Sequence, residues 1–325
     1  MSENTPTVTI GMIVYNGDNF IVEAIESVLA QTYTDFELII SDNASTDGTE
    51  GICQEYASKH NRIRYVRNQK NLGAAGNANQ TIHMARGEYY KLAAHDDVLA
   101  PTYLERCVEV LDADPSVVLC HTQTWLINDD GSDVAFDHQR GAFVDNHGVA
   151  QFRPDPPRRL DHDSPVVRFS DFVALTINVF EIFGVMRLQA LRKTRLLRGY
   201  FSSDKPMLAE LILRGRFYSI PEDLFLARCH PKQASIQPPR ERAQLVVPDN
   251  PEAVLGTQRK NMVAYIDAVR RAPIRGDQKV RCWLSLSRLF FSRNSWMRLL
   301  KPGPFNYFGI GISSTTHKTK KEETT

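Results

Sequence analysis

Two adjacent carboxylates, Asp96 and Asp97, follow an apolar segment and carry the clearest chemical signal in the sequence. Because neighbouring like charges repel, their placement at the end of a strand indicates a bound cation. Hard divalent ions such as Mg²⁺ and Mn²⁺ are held by carboxylate oxygens together with substrate phosphates. The alternative is structural, since Asp is favoured as a helix N-cap and Pro101 marks a helix start nearby. The spacing by itself leaves both interpretations open.

Two further carboxylates lie at the ends of predicted elements. Asp42 ends an apolar segment, where it could accept a hydrogen bond from a base N–H or a ribose hydroxyl. Read alone, it fits better as an Asx-turn or cap for the following helix. Asp204 opens a helix after two serines, where it could act as a general base on a bound hydroxyl or as a helix cap.

Arg228 and His230 follow a second apolar segment, residues 224–227. Together they provide a fixed cation and an imidazole, which suits a grip on phosphates or on a metal. A single His after a strand is more often a hydrogen-bonded polar residue than a metal ligand.

The absence of two nucleotide-binding motifs limits the possible classes of enzyme. The first strand is not followed by G-x-G-x-x-G, so a nicotinamide-dinucleotide site is unsupported. No G-x-x-x-x-G-K-[ST] occurs, which in practice excludes a P-loop NTPase.

The elements that position these residues are predicted from short apolar runs, typical of strands, that alternate with segments whose apolar residues recur at helical spacing. The pattern predicts strands at 8–14, 36–40, 63–66, 88–93 and 117–120, and helices at 20–31, 49–60, 71–85 and 103–111. Such alternation indicates an α/β fold with a mostly parallel sheet and helices on both faces. Ligands bind such sheets beyond the carboxyl ends of the strands, where Asn16, Asp42 and the Asp96-Asp97 pair all fall.

The second half of the chain is less regular. Residues 128–165 are rich in Asp, Gly, Pro, His and Arg and are interpreted as a loop. We then predict helices at 166–174, 205–214 and 258–271, and a strand at 217–220. The Pro-rich residues 237–240 suggest a boundary, and the last dozen residues have the composition of a disordered tail. The predicted domains are therefore 1–240 and a C-terminal extension, 241–325.

Composition and cysteine usage are those of an ordinary soluble protein. The chain has 325 residues, 42% hydrophobic and 24% charged, which allows one large core. No apolar run approaches the roughly 18 residues of a membrane-spanning helix, and the N-terminus lacks the pattern of a secretory signal. Five cysteines without a C-x-x-C pair indicate reduced thiols. We therefore expect a cytoplasmic protein.

Charge is divided unequally between the two parts of the chain. Residues 1–240 hold 24 Lys/Arg against 31 Asp/Glu, a net of −7, whereas residues 241–325 hold 15 against 7, a net of +8. Such a split indicates an anionic partner for the basic part, or a solvated helix face that complements the acidic body. The extension also contains aromatic residues suited to a membrane interface: Trp283, Phe290, Phe291, Trp296 and Phe308. Peripheral contact with the inner membrane face is therefore one prediction, and packing or dimerisation is the other.

Several motifs occur in a fixed order: Val14-Tyr15-Asn16, the segments 27–33 and 37–49, Asn71-Leu72-Gly73, the segment 85–89, and Ala94-His95-Asp96-Asp97. Together they resemble the large family 2 of inverting glycosyltransferases with the GT-A fold. The resemblance is strong over about residues 7–120 and moderate over 195–235. It implies a nucleotide-sugar-binding half at about 1–120 and an acceptor half at 121–240.

The resemblance also implies a role for each matching residue. Nucleotide binding is implied for Val14, Tyr15, Asn16, Asp42 and Asp96. Metal binding is implied for Asp97 and His230, and contact with the diphosphate for Arg228. Asp204 matches the catalytic base, which would take the proton of the acceptor hydroxyl in a single in-line displacement.

The function implied by the resemblance is a metal-dependent inverting glycosyltransferase, hexosyltransferase-like, in polysaccharide biosynthesis. It would use a nucleoside-diphosphate sugar donor, Mg²⁺ or Mn²⁺, and a glycan or lipid-linked acceptor, with no nucleic-acid partner. One alternative is a sugar-phosphate nucleotidyltransferase, although residues 14–18 lack the Gly-rich basic loop usual in that class. The other is a nucleotide-sugar-binding protein without catalysis.

Overall fold

The computed structural model describes residues 5–233, 236–238, 241–242, 245, 247–248 and 255–291. Within them, the strands are β1 Val8–Val14, β2 Phe36–Asp42, β3 Ile63–Arg67, β4 Tyr89–Ala94, β5 Val98–Leu99, β6 Val117–Asn128, β7 Ala135–Asp137, β8 Ala142–Val144, β9 Val185–Arg187 and β10 Arg216–Cys229. The helices are α1 Ile21–Leu29, α2 Thr49–Lys59, α3 Gly73–Met84, α4 Tyr103–Ala113, α5 Pro165–Leu175, α6 Leu188–Arg192, α7 Asp204–Ile212, α8 Thr257–Arg271 and α9 Gly276–Phe291. A 3₁₀ turn spans Phe180–Phe183.

One sheet organises the described residues, with strand order β3-β2-β1-β4-β9-β6-β10-β5. The pairs β3–β2, β2–β1, β1–β4 and β6–β10 are parallel, which confirms the predicted mostly parallel sheet. β9 is antiparallel to both β4 and β6 and joins the two parallel parts. With only three residues, β9 is too short to produce a periodic signal in the sequence.

Burial explains why the first half folds as predicted. All seven residues of β2 are buried, as expected for a parallel strand that is covered on both faces. On α1, the residues Ile21, Ala24, Ile25 and Val28 are buried at helical spacing and form a single apolar stripe. The carboxyl ends of β1, β2 and β4 consequently meet at one edge of the sheet, as predicted.

Two predictions for the second half are wrong in extent. Residues 128–165 are not wholly loop, because β7 and β8 form a small antiparallel sheet there. β10 continues to Cys229, well beyond the predicted strand at 217–220. Its register against β6 shifts between Ile220 and Asp223, at Pro221. Such an irregularity interrupts the alternation of buried and exposed residues, so the strand-type pattern in the sequence ends before the strand itself does.

The C-terminal helices pack on the body of the protein. On α8, Ala264 and Val269 are buried, and on α9, Cys282 and Leu286 are buried in the same cluster as α5 and α7. All five cysteines are free and buried. Trp296, Phe308 and the predicted tail lie outside the described residues, and the domain division at 240 stays a prediction. No helix in the described ranges combines the length and apolar character needed to cross a membrane.

Candidate active site

A cavity of about 460 Å³ opens at the carboxyl ends of β1, β2 and β4. Five of the residues predicted for the site line it: Val14, Tyr15, Asn16, Asp96 and His230. They come from the end of β1, the turn after β4 and the end of β10. We call this space the donor cavity.

The turn after β1 is built to approach the turn after β4. Asn16 adopts a left-handed φ of 51°, its N–H donates to Ser45 Oγ over 2.9 Å, and its Oδ1 accepts from Thr46 N over 2.8 Å. At Gly17, an added Cβ would lie 2.2 Å from Cδ2 of His95. Glycine is therefore required for His95 to reach the wall of the donor cavity.

Asparagines supply much of the remaining polar wall. Asn43 Oδ1 accepts from Leu72 N over 2.8 Å, and Asn71 Oδ1 accepts from Gly73 N over 2.8 Å and from Asn43 Nδ2 over 2.7 Å. Because backbone N–H groups can only donate, these bonds set the orientation of both side-chain amides. Asn43 and Asn71 belong to the sequence motifs but were not predicted as site residues. Their position directly after a strand or before a helix was the available signal.

Asp96 and His230 meet across the donor cavity, with Nε2 of His230 3.0 Å from Oδ2 of Asp96. The imidazole ring also packs against Phe20 at a centroid distance of 5.0 Å. Burial acts to raise the pKa of Asp96, but His95 and His230 outweigh it and lower that pKa. A carboxylate oxygen and an imidazole nitrogen beside a cavity of this size fit Mg²⁺ or Mn²⁺. Such ions take their other ligands from phosphates and water, which is consistent with finding no larger ligand cluster among the described residues.

Asp97 lies differently from its neighbour. Its Oδ1 accepts a hydrogen bond from Arg228 N over 3.0 Å, and it borders a separate internal cavity of about 10 Å³ that Lys91 also lines. Burial, together with the charge of Asp96, raises the pKa of Asp97 to about 8. The geometry therefore favours Asp96 over Asp97 as the carboxylate that faces a ligand, and the predicted metal role of Asp97 stays a prediction.

Arg228 stabilises the turn after β4, which contains Asp96 and Asp97. Its side chain is only 2% exposed, its Nε donates to the carbonyl of Asp96 over 3.0 Å, and its Nη2 pairs with Glu23 over 2.5 Å. The guanidinium also lies 4.9 Å from the centre of the Phe20 ring. With these contacts the guanidinium is committed to the protein, and its predicted contact with a diphosphate stays a prediction.

Asp42 is likewise bound internally. Its Oδ1 accepts from Ser45 N over 2.8 Å, and its Oδ2 accepts from Tyr65 Oη over 2.7 Å and from Arg67 over 2.8 Å. The carboxylate has no exposed surface. These contacts match the turn-forming alternative, and the nucleotide-binding role of Asp42 stays a prediction.

Asp204 is the first residue of α7, where its Oδ1 accepts a hydrogen bond from Lys205 N over 2.8 Å. Burial raises the pKa of Asp204. A general base gains proton affinity from such a shift. The residues that line the donor cavity do not include Asp204, so its role as the base stays a prediction.

Lys91 is a charged group in the core that the sequence pattern did not single out. It is fully buried on β4, with Nζ 5.0 Å from the Tyr103 ring centre and 5.4 Å from that of Phe225. Its Nζ donates to the carbonyl of Leu92 over 3.1 Å. Burial lowers the pKa of Lys91 from 10.5 to about 8.

Replacing Lys91 by Met is expected to stabilise the protein at pH 7, by up to about 3 kcal/mol. The pKa of Lys91 is lower in the folded protein than in the unfolded chain, so the unfolded chain binds more protons between pH 8 and 10.5. The free energy of unfolding of wild type therefore increases with pH across that window. The advantage of the variant should therefore shrink over the same window. Urea unfolding of both proteins at pH 7 and pH 9.5 measures this advantage. A difference in the free energy of unfolding that does not change with pH would contradict the lowered pKa of Lys91.

Comparisons with known proteins agree with this geometry. Residues 9–157 match the family model described as Glycosyl transferase family 2. Chondroitin synthase from Escherichia coli is 35% identical over 130 residues, which are 40% of this chain and 19% of that protein. Putative glycosyltransferase EpsE from Bacillus subtilis is 38% identical over 108 residues, 33% of this chain and 39% of that protein. The matched region thus spans less than half the length of either relative.

Solved structures share the fold at low sequence identity. S. aureus TarS 1-349 in complex with UDP has a TM-score of 0.59 at 17% identity, covering 91% of this chain and 75% of that one. The mannosyltransferase PcManGT from Pyrobaculum calidifontis, in complex with GDP-Man and Mn²⁺, has a TM-score of 0.50 at 16% identity, covering 91% and 84%. The sheet around the donor cavity has the GT-A fold, and over residues 9–157 the chain is similar to glycosyl transferase family 2.

Proposed function

We propose that this protein is a metal-dependent inverting glycosyltransferase that moves one sugar from a nucleoside diphosphate to a hydroxyl of a glycan or lipid-linked acceptor. The supporting observation is the pairing of Asp96 with His230 in a cavity at the carboxyl ends of the strands of a family 2 domain. A nucleoside-diphosphate donor also agrees with the ligands named for the two similar structures, UDP and GDP-Man. A place in polysaccharide biosynthesis is part of the same proposal.

The proposed mechanism divides the work between two parts of the chain. Asp96 and His230 would hold Mg²⁺ or Mn²⁺, which neutralises the charge of the departing diphosphate when bound. The asparagine amides, oriented by backbone N–H groups, would bind polar atoms of the nucleotide. Asp204 would take the proton of the acceptor hydroxyl while that oxygen bonds to the anomeric carbon and the bond to the diphosphate breaks. One displacement inverts the configuration of that carbon.

A thermal-shift screen with UDP, GDP, UDP-GlcNAc and GDP-mannose tests the donor class. We expect one nucleotide series to raise the melting temperature with Mn²⁺ and to lose this effect with EDTA, because ligands that bind only the folded state stabilise it. Product analysis then separates the alternatives. Release of a nucleoside diphosphate supports transfer, release of pyrophosphate indicates a nucleotidyltransferase, and binding without either product indicates a non-catalytic binding protein.

We also propose that the extension, residues 241–325, contacts an anionic membrane near the acceptor. On α9, three apolar side chains share one face at helical spacing and are exposed: Val280 by 52%, Trp283 by 40% and Leu284 by 60%. Arg281 beside them is exposed as well. Basic residues close to an anionic surface contribute about 1 kcal/mol each, and Trp favours the interface.

Vesicle flotation with full-length protein tests this contact. We expect wild type to float with vesicles that contain anionic lipid and a Trp283→Ser, Leu284→Ser variant to float several-fold less. Point variants are preferable to removing the helices, because α8 and α9 cover buried core residues. A Val263→Ser variant, which changes an exposed apolar residue of α8, serves as control. Equal recovery of wild type in the soluble fraction with and without anionic lipid would contradict the proposal.

A further inference from the structure

The segment that leads into Asp204 has an unusual backbone. We call residues 193–203, which connect α6 to α7, the base loop. Within it, Leu196 and Ser202 adopt left-handed φ values of 55° and 64°. Residues other than glycine disfavour left-handed φ values, so they keep this conformation only where contacts with the rest of the protein stabilise it. The position of Asp204 therefore depends on what braces the base loop.

Asn79 braces it from the side of the donor cavity. Its Oδ1 accepts from Leu197 N over 3.1 Å, and its Nδ2 donates to Leu197 O over 2.7 Å. Both backbone groups of one loop residue, next to the left-handed Leu196, are thus held by a single side chain. Asn79 lies on α3, whose earlier residues Ala74 and Asn77 line the donor cavity. This one side chain links the helix beside the donor to the loop that ends at Asp204.

Other contacts of the base loop run to α7, to α8 or within the loop, and Leu196 and Leu197 also pack on the buried cluster that includes α5 and α7. Arg195 Nε is 3.0 Å from Asp267 Oδ2 of α8, but the arginine side chain is 45% exposed, and exposed ion pairs contribute little. Ser203 Oγ donates to Arg198 O over 2.8 Å, which stiffens the loop without fixing it to the body. Glu210 of α7 accepts from Arg195 N over 3.1 Å, and this bond ties the loop to the helix that it precedes. Asn79 therefore provides side-chain hydrogen bonds between the loop and α3, beside the donor cavity.

We propose that Asn79 is a positioning residue that sets Asp204 relative to the bound donor. The inference rests on the proposed function, because it assumes that Asp204 is the base. A base must lie within hydrogen-bond reach of the proton that it takes, and a displacement of about 1 Å can reduce the rate about 10²-fold. Loss of the two bonds to Leu197 releases the strained loop and lets Asp204 move, while the residues that line the donor cavity keep their places.

The first measurement needs no substrate. In Asn79→Ala, hydrogen–deuterium exchange should accelerate about tenfold or more in peptides that cover the base loop. The control is Gln80→Ala, which removes an amide from the next position of α3 and leaves both Asn79–Leu197 bonds in place. Unchanged exchange in the base loop of Asn79→Ala would overturn the proposal.

The second measurement separates positioning from general destabilisation. With Mn²⁺, the affinity of Asn79→Ala for UDP or GDP should match that of wild type, whereas the release of UDP from UDP-GlcNAc or of GDP from GDP-mannose should slow about 10- to 100-fold. In a double-mutant cycle, adding Asn79→Ala to Asp204→Asn should cause no further loss, because the group being positioned is already inactive. Independent, multiplicative losses would overturn the role of Asn79. Wild-type turnover in Asp204→Asn alone would instead contradict the proposed base.

Discussion

Asp96→Asn should lose Mn²⁺-dependent nucleotide binding, and transfer should fall about 10³-fold or more, because a metal ion contributes several kcal/mol of charge stabilisation. Asn keeps an oxygen near His230 but removes the negative charge that attracts the ion. Calorimetry with UDP or GDP, with and without Mn²⁺, measures the effect.

Asp97→Asn is the matched comparison for this prediction. It changes the adjacent carboxylate, whose Oδ1 receives Arg228 N and which does not line the donor cavity. We expect this variant to keep Mn²⁺-dependent binding, with transfer reduced to a smaller extent. Should Asp97→Asn lose the metal dependence while Asp96→Asn retains it, the ligand assignment taken from the sequence resemblance would stand and the one taken from the geometry would be wrong.

Asp204→Asn should slow the release of nucleoside diphosphate about 10²- to 10⁴-fold, the usual contribution of a general base. Donor affinity should stay near that of wild type, because Asp204 does not line the donor cavity. Ser203 is the N-cap residue of α7, and the side-chain oxygen of Asn can still accept the hydrogen bond from Lys205 N, so thermal stability should hardly change. A variant with normal turnover would leave Asp204 with only a structural role.

The raised pKa of Asp204 adds a pH dependence to this prediction. Burial disfavours the charged form, so the carboxylate accepts a proton at a higher pH than the ordinary value of 3.8. Because the base acts only when deprotonated, wild-type turnover should rise with pH across a range above 3.8. This rise should be missing from the residual activity of Asp204→Asn. If turnover rises with pH in the same way in both proteins, the rise is caused by a group other than Asp204.

The first half of the fold could be predicted from the sequence because burial there is periodic. In β2 the residues Leu38 to Ile40 form an apolar run, and in α1 the apolar residues recur at helical spacing, so each element is recognisable by itself. The end of each strand was equally clear from the polar residues that follow it. Placement of Asn16 and Asp96 at the same edge of the sheet then followed from parallel topology alone.

The second half depends on contacts between distant residues. β9 becomes a strand only because it lies between β4 and β6, and β10 continues past an irregularity because β6 pairs with it on the far side. The small sheet of β7 and β8 lies in a segment whose polar composition resembles a loop. Local sequence does not contain these pairings, since the stabilising partners are tens of residues away.

For the site, the sequence alone determined which residue types gather at the carboxyl edge of the sheet, through the order of strand ends and the motifs that follow them. Only the tertiary structure decided which of them line the donor cavity. Asp96 and Asp97 are equivalent as a dipeptide, but their side chains contact different residues of the fold. The two contacts come from β10 and the residue that follows it, because Arg228 N donates to Asp97 Oδ1 and His230 Nε2 lies 3.0 Å from Asp96 Oδ2. Arg228 and Asp42 became internal supports for the same reason, because their partners come from other elements of the fold.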